Sequence, residues 1–179
     1  MKIIILQGSP NINGSTNLLV QSFTKGAEES GHTVERIDVS RLNVKPCVGC
    51  LACGYEGPCV QKDDTDKVKG ALLSADMVVF ATPVYYFGMT AQLKAVVDRF
   101  CAYNSSLHAK GLKSALLTVA WNSDAETFEP LIAHYKAIAN YCHFKDQGMV
   151  IGRGCGSTVM TSRSGYIEEA YKLGKGLRY

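Results

Sequence analysis

The apolar positions of this chain switch repeatedly between short continuous runs and helical spacing. Lys2 to Gln7 is an unbroken, isoleucine-rich run ending at a glycine, the pattern of a strand buried on both faces of a parallel sheet. From Ser15 to Ser30, Thr16, Leu18, Leu19, Phe23 and Ala27 recur at helical spacing; Ser15 can cap the start and Gly31 supplies a stop. Thr33 to Val39 reads as a second strand. Asp63 and Asp64 offer capping carboxylates to a helix running through Leu73, and Asp76 to Ala81 is a third buried strand. A helix over Met89 to Tyr103, a strand over Ser114 to Ala120, an amphipathic helix over Glu126 to Tyr141, a strand over Gln147 to Ile151 and a helix over Tyr166 to Lys175 complete the pattern.

Strands alternating with helices require right-handed crossovers and a parallel sheet covered on both faces. The predicted fold class is therefore α/β, a flavodoxin-like three-layer sandwich with a five-stranded parallel sheet in the order 2-1-3-4-5. In such a sheet a ligand sits beyond the carboxyl ends of the strands, where the winding reverses between the first and third. No repeat or linker divides the chain, so residues 1–179 are expected to form a single domain. Hydrophobic residues make up 46% and charged residues 20%, the balance of a globular protein. No apolar run approaches a membrane span, and MKIIILQGSP is too brief for a secretory signal; the expected location is the cytoplasm. A formal charge of +3 with scattered basic residues indicates neither nucleic acid nor membrane as a partner.

Two loops fall at the predicted crevice. Gly8-Ser9-Pro10-Asn11-Ile12-Asn13-Gly14-Ser15-Thr16-Asn17 leaves a strand and enters a helix, so free backbone N–H groups and the helix dipole converge on one anion site. Ser9, Ser15 and Thr16 add hydroxyl donors. No Lys follows Gly14 as in a Walker A loop, and no G-x-G-x-x-G is present, which points to a permanent phosphomonoester. An ordinary turn with capping Ser and Asn is the competing reading. The second loop, Thr82-Pro83-Val84-Tyr85-Tyr86-Phe87-Gly88, presents three consecutive aromatics and ends on a glycine that permits a turn. Either a planar ligand or a subunit interface would account for them.

Together GSPNINGSTN and TPVYYFGMTAQLKAVVDR resemble the NADPH-dependent FMN reductase branch of the flavodoxin-like superfamily. The resemblance implies that Ser9, Asn11, Ser15, Thr16 and Asn17 hold the FMN phosphate, while Pro83, Val84, Tyr85, Tyr86, Phe87 and Gly88 surround the ring. The third contact loop of that family falls at Ala120-Trp121-Asn122-Ser123, which makes Trp121 and Asn122 candidates at the flavin edge. The basic residue that the family often carries where Asn11 stands is absent.

Seven cysteines are present, an odd number that argues against a disulfide framework. Cys47, Cys50, Cys53 and Cys59 spell C-x2-C-x2-C-x5-C in a glycine-rich loop, a spacing at which thiolates can hold a cubane cluster. In this position the motif resembles the iron–sulfur flavoproteins, which implies a [4Fe-4S] cluster beside FMN. Unligated or redox-active thiols, and structural zinc, are the alternatives. Cys101, Cys142 and Cys155 read as buried packing residues, and His32, His108, His134 and His143 as surface or capping residues.

The resemblance implies an FMN-dependent NAD(P)H oxidoreductase in which the chemistry resides at FMN N5 and no side chain acts as a catalytic acid. NAD(P)H is the expected co-substrate, with a quinone, free flavin or ferredoxin as electron partner, and a homodimer or tetramer is the expected assembly. The alternatives are an iron–sulfur flavoprotein or flavodoxin-type carrier that exchanges electrons with ferredoxin without NAD(P)H turnover, and a flavin-free interaction module.

Overall fold

A computed structural model describes residues 1–179. Strands β1 (Lys2–Gln7), β2 (Thr33–Asp38), β3 (Met77–Pro83), β4 (Lys113–Val119) and β5 (Lys145–Gly152) pair in parallel in the order β2-β1-β3-β4-β5. This is the flavodoxin-like α/β arrangement that the strand–helix alternation predicts. The central strands β1, β3 and β4 are buried almost throughout, which is why each reads as a continuous apolar run. The edge strand β2 carries Glu35, Arg36 and Asp38, charges that discourage pairing with another chain.

Helices α1 (Ser15–Glu29) and α7 (Tyr166–Gly176) cover one face, packing Leu19, Val20, Phe23, Ala27 and Ala170 onto Ile3, Ile5, Val79 and Leu117. The other face is covered by α2 (Thr65–Ser74), α3 (Ala91–Asp98), α4 (Asn104–Lys110) and α5 (Ala125–Tyr141). There Val68, Leu72, Leu93, Val96, Leu107, Leu131 and Tyr135 meet Ile4, Leu6, Val78, Phe80 and Leu116. Each fully buried aliphatic contributes about 1.5–3 kcal/mol relative to exposure, so the odd and even positions of β1 hold opposite helical layers. No helix is long and apolar enough to cross a membrane.

The departures from the sequence reading are local. The helix predicted over Met89 to Tyr103 starts later, at Ala91, where the Thr90 hydroxyl accepts from the Leu93 amide at 3.3 Å. It then tightens into a 3₁₀ segment over Arg99–Tyr103, burying Arg99, Phe100, Ala102 and Tyr103, and α4 follows. Neither α4 nor the short α6 (Thr158–Ser162) has an apolar stripe strong enough to announce it. The cap at the start of α1 falls on Gly14 rather than Ser15, with no side-chain cap bond. Asp64 caps α2 from the N-cap position without a side-chain bond to the helix, while the Asp63 carboxylate, which accepts from the Thr65 amide, is mainly committed elsewhere. His32 is buried rather than exposed, its Nδ1 3.3 Å from the Met1 amino group.

Helices α1 and α7 meet at two opposed glycines. A Cβ at Gly26 would stand 2.2 Å from the Tyr171 carbonyl oxygen, and one at Gly174 would stand 2.2 Å from the Phe23 carbonyl oxygen. Both contacts are with backbone, so neither can be relieved by a rotamer change. Gly26→Ala and Gly174→Ala are each expected to destabilise the protein by about 1–3 kcal/mol through overpacking. Gly70→Ala, on the exposed side of α2 with open space around it, is expected instead to stabilise by up to about 1 kcal/mol. Thermal melts of the three variants check the opposite signs.

Candidate functional site

The loop Gly8–Asn17 rises from the carboxyl end of β1 and is folded by its own polar groups. Ser9 Oγ donates to the Asn11 carbonyl at 3.1 Å, Asn11 Oδ1 accepts from the Asn13 amide at 3.2 Å, and the Gly14 amide returns to the Asn11 carbonyl at 3.1 Å. The chain thus arrives at α1 with the Ser15 and Thr16 amides and hydroxyls all unpartnered, although both residues are buried. Unpaired donors at a helix N-terminus form an anion site, reinforced by roughly half a positive charge from the helix dipole.

The loop after β3 is tied directly to this one. The Thr90 hydroxyl donates to the Gly8 carbonyl at 2.8 Å, and the Thr90 amide donates to Thr82 Oγ1 at 3.1 Å. Between these two threonines the chain makes a two-residue turn in which Tyr85 and Gly88 exchange both backbone bonds, at 2.9 and 3.1 Å. The left-handed positions fall on Tyr86 (φ 45°) and Phe87 (φ 66°), the signature of a type I′ turn, and not on Gly88 as the sequence suggests. Tyr86 is fully exposed, and Tyr85 and Phe87 are half exposed.

Ser9, Asn11, Ser15 and Thr16 line one cavity of about 230 Å³ together with Pro83, Val84, Tyr85 and Trp121. Polar donors from α1 form one end of its lining, and apolar and aromatic side chains form the rest. Tyr86, Phe87 and Asn122 border an adjoining depression of about 260 Å³ that shares Val84 and Trp121. Asn17 and Gly88 border neither. The Asn17 Oδ1 is taken by the Arg36 guanidinium from β2, which is itself paired with Asp38 at 2.6 Å; Gly88 serves only to close the turn. No Lys or Arg lines the cavity, so neutral donors and the helix dipole are all that it offers to an anion. These are the features that an FMN phosphate and isoalloxazine ring require: unpaired donors for the one, flat apolar walls for the other.

Sequence reasoning missed Val119, Cys155 and Gly156 in this lining, and named Gly14 and Ala120 only as parts of their loops. The Gly-rich stretch Gly152-Arg153-Gly154-Cys155-Gly156 after β5 was the available signal. A Cβ at Gly156 would lie 2.0 Å from Trp121 Cε3, so glycine there lets the indole lie flat against the backbone. Cys155, read as a packing residue, is buried and faces the cavity.

The cysteine loop lies apart from this crevice. Cys47, Cys50, Cys53 and Cys59 line one small cavity and are joined there by Cys101, whose carbonyl accepts from the Cys53 thiol at 3.9 Å. Burial, followed by the neighbouring Cys53, pushes the Cys101 thiol up. All seven cysteines are free, with Cys47 and Cys50 exposed. No three His, Cys, Asp or Glu side chains stand within reach of one metal ion. A tetrahedral zinc site needs its four sulfurs at ~2.3 Å from one centre, whereas a cubane takes one thiolate per iron and spaces them more widely. Four thiols lining one cavity are the donor set that a thiolate-held cluster takes, one per iron. The enclosed space is about 30 Å³, so a cluster would require the exposed side bearing Cys47 and Cys50 to move outward.

The neck of that loop is closed by a buried ion pair. Arg99 Nη1 lies 2.7 Å from Asp63 Oδ2, with both side chains about 1% exposed. Burial alone would raise the Asp63 carboxyl, but Arg99, Thr65 and the Lys45 amide hold it far below the usual carboxylate range.

The profile of the NADPH-dependent FMN reductase family matches residues 1–139, and the chain belongs to that family. An iron–sulfur flavoprotein of Archaeoglobus fulgidus is 37% identical over 111 residues, covering 62% of this chain and 50% of its own length. This chain spans about half the length of this relative and of an iron–sulfur flavoprotein of Methanocaldococcus jannaschii that it also matches. The solved NAD(P)H:quinone oxidoreductase from Methanothermobacter marburgensis superposes with a TM-score of 0.75 at 19% identity, over 100% of this chain and 96% of that one. An FMN-dependent NADH-azoreductase from Bacillus anthracis, in complex with FMN, superposes with a TM-score of 0.69 at 17% identity, over 98% and 97%. At these identities the structural likeness shows a shared fold.

Left-handed backbone costs a bulky residue of the order of 1–3 kcal/mol. Replacing Tyr86-Phe87 by Asn-Gly, the sequence favoured in type I′ turns, is expected to raise stability by about that amount. Each kcal/mol would lift the thermal midpoint by roughly 2–4 °C in a chain of this size. A melting curve of the double variant checks it.

Proposed function

We propose that the crevice binds FMN and that the protein is an NAD(P)H-dependent oxidoreductase delivering electrons to a quinone, free flavin or protein acceptor. The observation that carries this reading is the meeting of the Gly8–Asn17 and Thr82–Gly88 segments in one cavity, tied together through Thr90. Ser9, Asn11, Ser15 and Thr16 hold the phosphate, and Asn17 supports them indirectly by anchoring the first turn of α1 to Arg36. Pro83, Val84, Tyr85 and Trp121 enclose the ring, with Tyr86, Phe87 and Asn122 forming the rim and Gly88 closing the turn that carries them. FMN supplies hydride and electron transfer at its isoalloxazine N5; the protein's part is to bind, orient and desolvate it. Exposed aromatics at the rim suit either a stacked nicotinamide or the surface of a neighbouring subunit, so a homodimer or tetramer forms part of this reading.

A second reading concerns the cysteine loop, where five sulfurs share one cavity. We propose that Cys47, Cys50, Cys53 and Cys59 hold a [4Fe-4S] cluster, which would add an outlet toward a ferredoxin-like partner. The family's iron–sulfur flavoproteins support this assignment.

Quenching of FMN fluorescence on titration with apoprotein tests the first reading. Ser15→Ala combined with Thr16→Val removes two neutral hydroxyls at about 1 kcal/mol each, and is expected to weaken FMN binding by about 10- to 30-fold with unchanged circular dichroism. Unquenched fluorescence with the wild-type protein would overturn the assignment. Steady-state NAD(P)H oxidation with a quinone or ferricyanide then separates an oxidoreductase from a carrier, which would retain FMN but turn over slowly.

A further inference from the structure

The segment carrying the cysteines is an Ω-shaped excursion whose two ends are held together. On the incoming side the Asn43 amide donates to Asp64 Oδ2 at 2.9 Å and the Lys45 amide to Asp63 Oδ2 at 3.1 Å. On the outgoing side the Asp64 amide donates to the Asn43 carbonyl at 3.0 Å, and Gln61 Nε2 to the Pro46 carbonyl at 2.9 Å. Arg99, from the 3₁₀ segment after α3, reaches into this neck. Its Nη1 donates to the Lys45 carbonyl at 2.8 Å and to Asp63, and its Nη2 to Asp63 at 3.2 Å and to the Gln61 carbonyl at 3.4 Å. One side chain thus grips the backbone two residues before Cys47 and two residues after Cys59.

Arg99 also lines the thiol cavity itself. Four of its five N–H groups belong to the two Nη atoms turned to the neck; the fifth, on Nε, is buried and has no partner. An unpaired charge-bearing donor at about 1% exposure is expensive to bury. Burial lowers the Arg99 guanidinium, Asp63 outweighs that and raises it, and Cys59 is the next group to act on it. The Asp63 carboxylate answers the guanidinium charge on the neck side only. On the cavity side the lining is five cysteines with Val48, Gly49, Leu51, Gln61 and Ala102, none of them a carboxylate.

We infer that Arg99 is a positioning residue for the cysteine site: it fixes the separation of Cys47 and Cys59 by clamping the loop neck, and it presents Nε–H to an anionic thiolate-held cluster. This rests on the reading of the four cysteines as cluster ligands. A thiolate-ligated iron–sulfur cluster is an anion whose potential responds to nearby charge and to hydrogen bonds on its sulfurs, and an outer partner of this kind typically changes metal affinity by about 10- to 100-fold.

The test compares wild-type protein with Arg99→Lys, and with the double variant Arg99→Met, Asp63→Leu, which removes both buried charges together so that neither is stranded. Each is checked for folding by its thermal melt and for FMN quenching, then reconstituted anaerobically with ferrous iron and sulfide. The expected result is a cluster in the wild type, with loss to a chelator at least about 10-fold faster in Arg99→Lys and a more negative midpoint potential. Amides 43–45 and 61–64 of the metal-free Arg99→Lys protein are expected to exchange hydrogen faster than in the wild type, a readout that needs no cluster. If folded variants kept wild-type chelator resistance, potential and exchange protection, the role assigned to Arg99 would be wrong while the cluster reading stood. If wild-type protein that quenches FMN took up neither iron nor sulfide, the cluster reading would fail and this inference with it.

Discussion

The Thr90 hydroxyl, fully buried, is where the two halves of the crevice become one object. It accepts from the Leu93 amide to start α3 and donates to the Gly8 carbonyl at the mouth of the Gly8–Asn17 loop. Its own amide is held by Thr82 at the end of β3. A single residue therefore fixes the direction of α3, the root of the aromatic turn and the exit of β1. Gly8 must be glycine for this to work, because a Cβ there would come within 2.8 Å of Leu93 Cβ. The spacing between the unpaired donors at α1 and the aromatic wall follows from that contact, and so does the cavity between them, polar at one end and apolar at the other.

The crevice also departs from local preference in a way that suggests use. Two bulky aromatics occupy left-handed backbone at Tyr86 and Phe87, where Asn and Gly would be easier, and Tyr86 is left entirely in water. Neither choice helps the folded chain by itself. Strain held at a ligand-facing turn, with aromatic surface left uncovered, is what a site awaiting a partner would show.

The cysteine loop is built on a different plan. It has no regular structure between Leu42 and Thr65, and it presents Val48, Leu51 and Val60 to solvent; only Leu42, Val44, Cys53 and Cys59 pack against the core, so apolar burial alone does not hold it. Polar closure of the neck does so instead, through Asp63, Asp64, Gln61 and Arg99. Beyond the neck, the tip of the loop is tied to α4, where the Asn104 amide donates to the Tyr55 carbonyl and the Ser106 amide to Glu56 Oε2, both at 3.0 Å. The same buried arginine interrupts the helix predicted over Met89 to Tyr103, since the 3₁₀ tightening directs Arg99 inward together with Phe100 and Tyr103.

The sequence by itself determined the sheet and its order, because a strand buried on both faces must be written almost wholly in apolar residues and its crossovers have one hand. It also marked the two loops that line the crevice, since Gly, Ser and Asn at a strand-to-helix junction and three consecutive aromatics are locally legible. Only the tertiary structure decided which of those residues face one another. Asn17 is claimed by Arg36 from β2, Gly88 cedes the left-handed positions to Tyr86 and Phe87, and Cys155 and Gly156 enter the cavity from beyond β5. Arg99 and Asp63, thirty-six positions apart, form the buried pair behind the cysteines. Their bond leaves no periodic trace in either segment, and a contact of that kind depends on where the whole sheet places two distant pieces of chain.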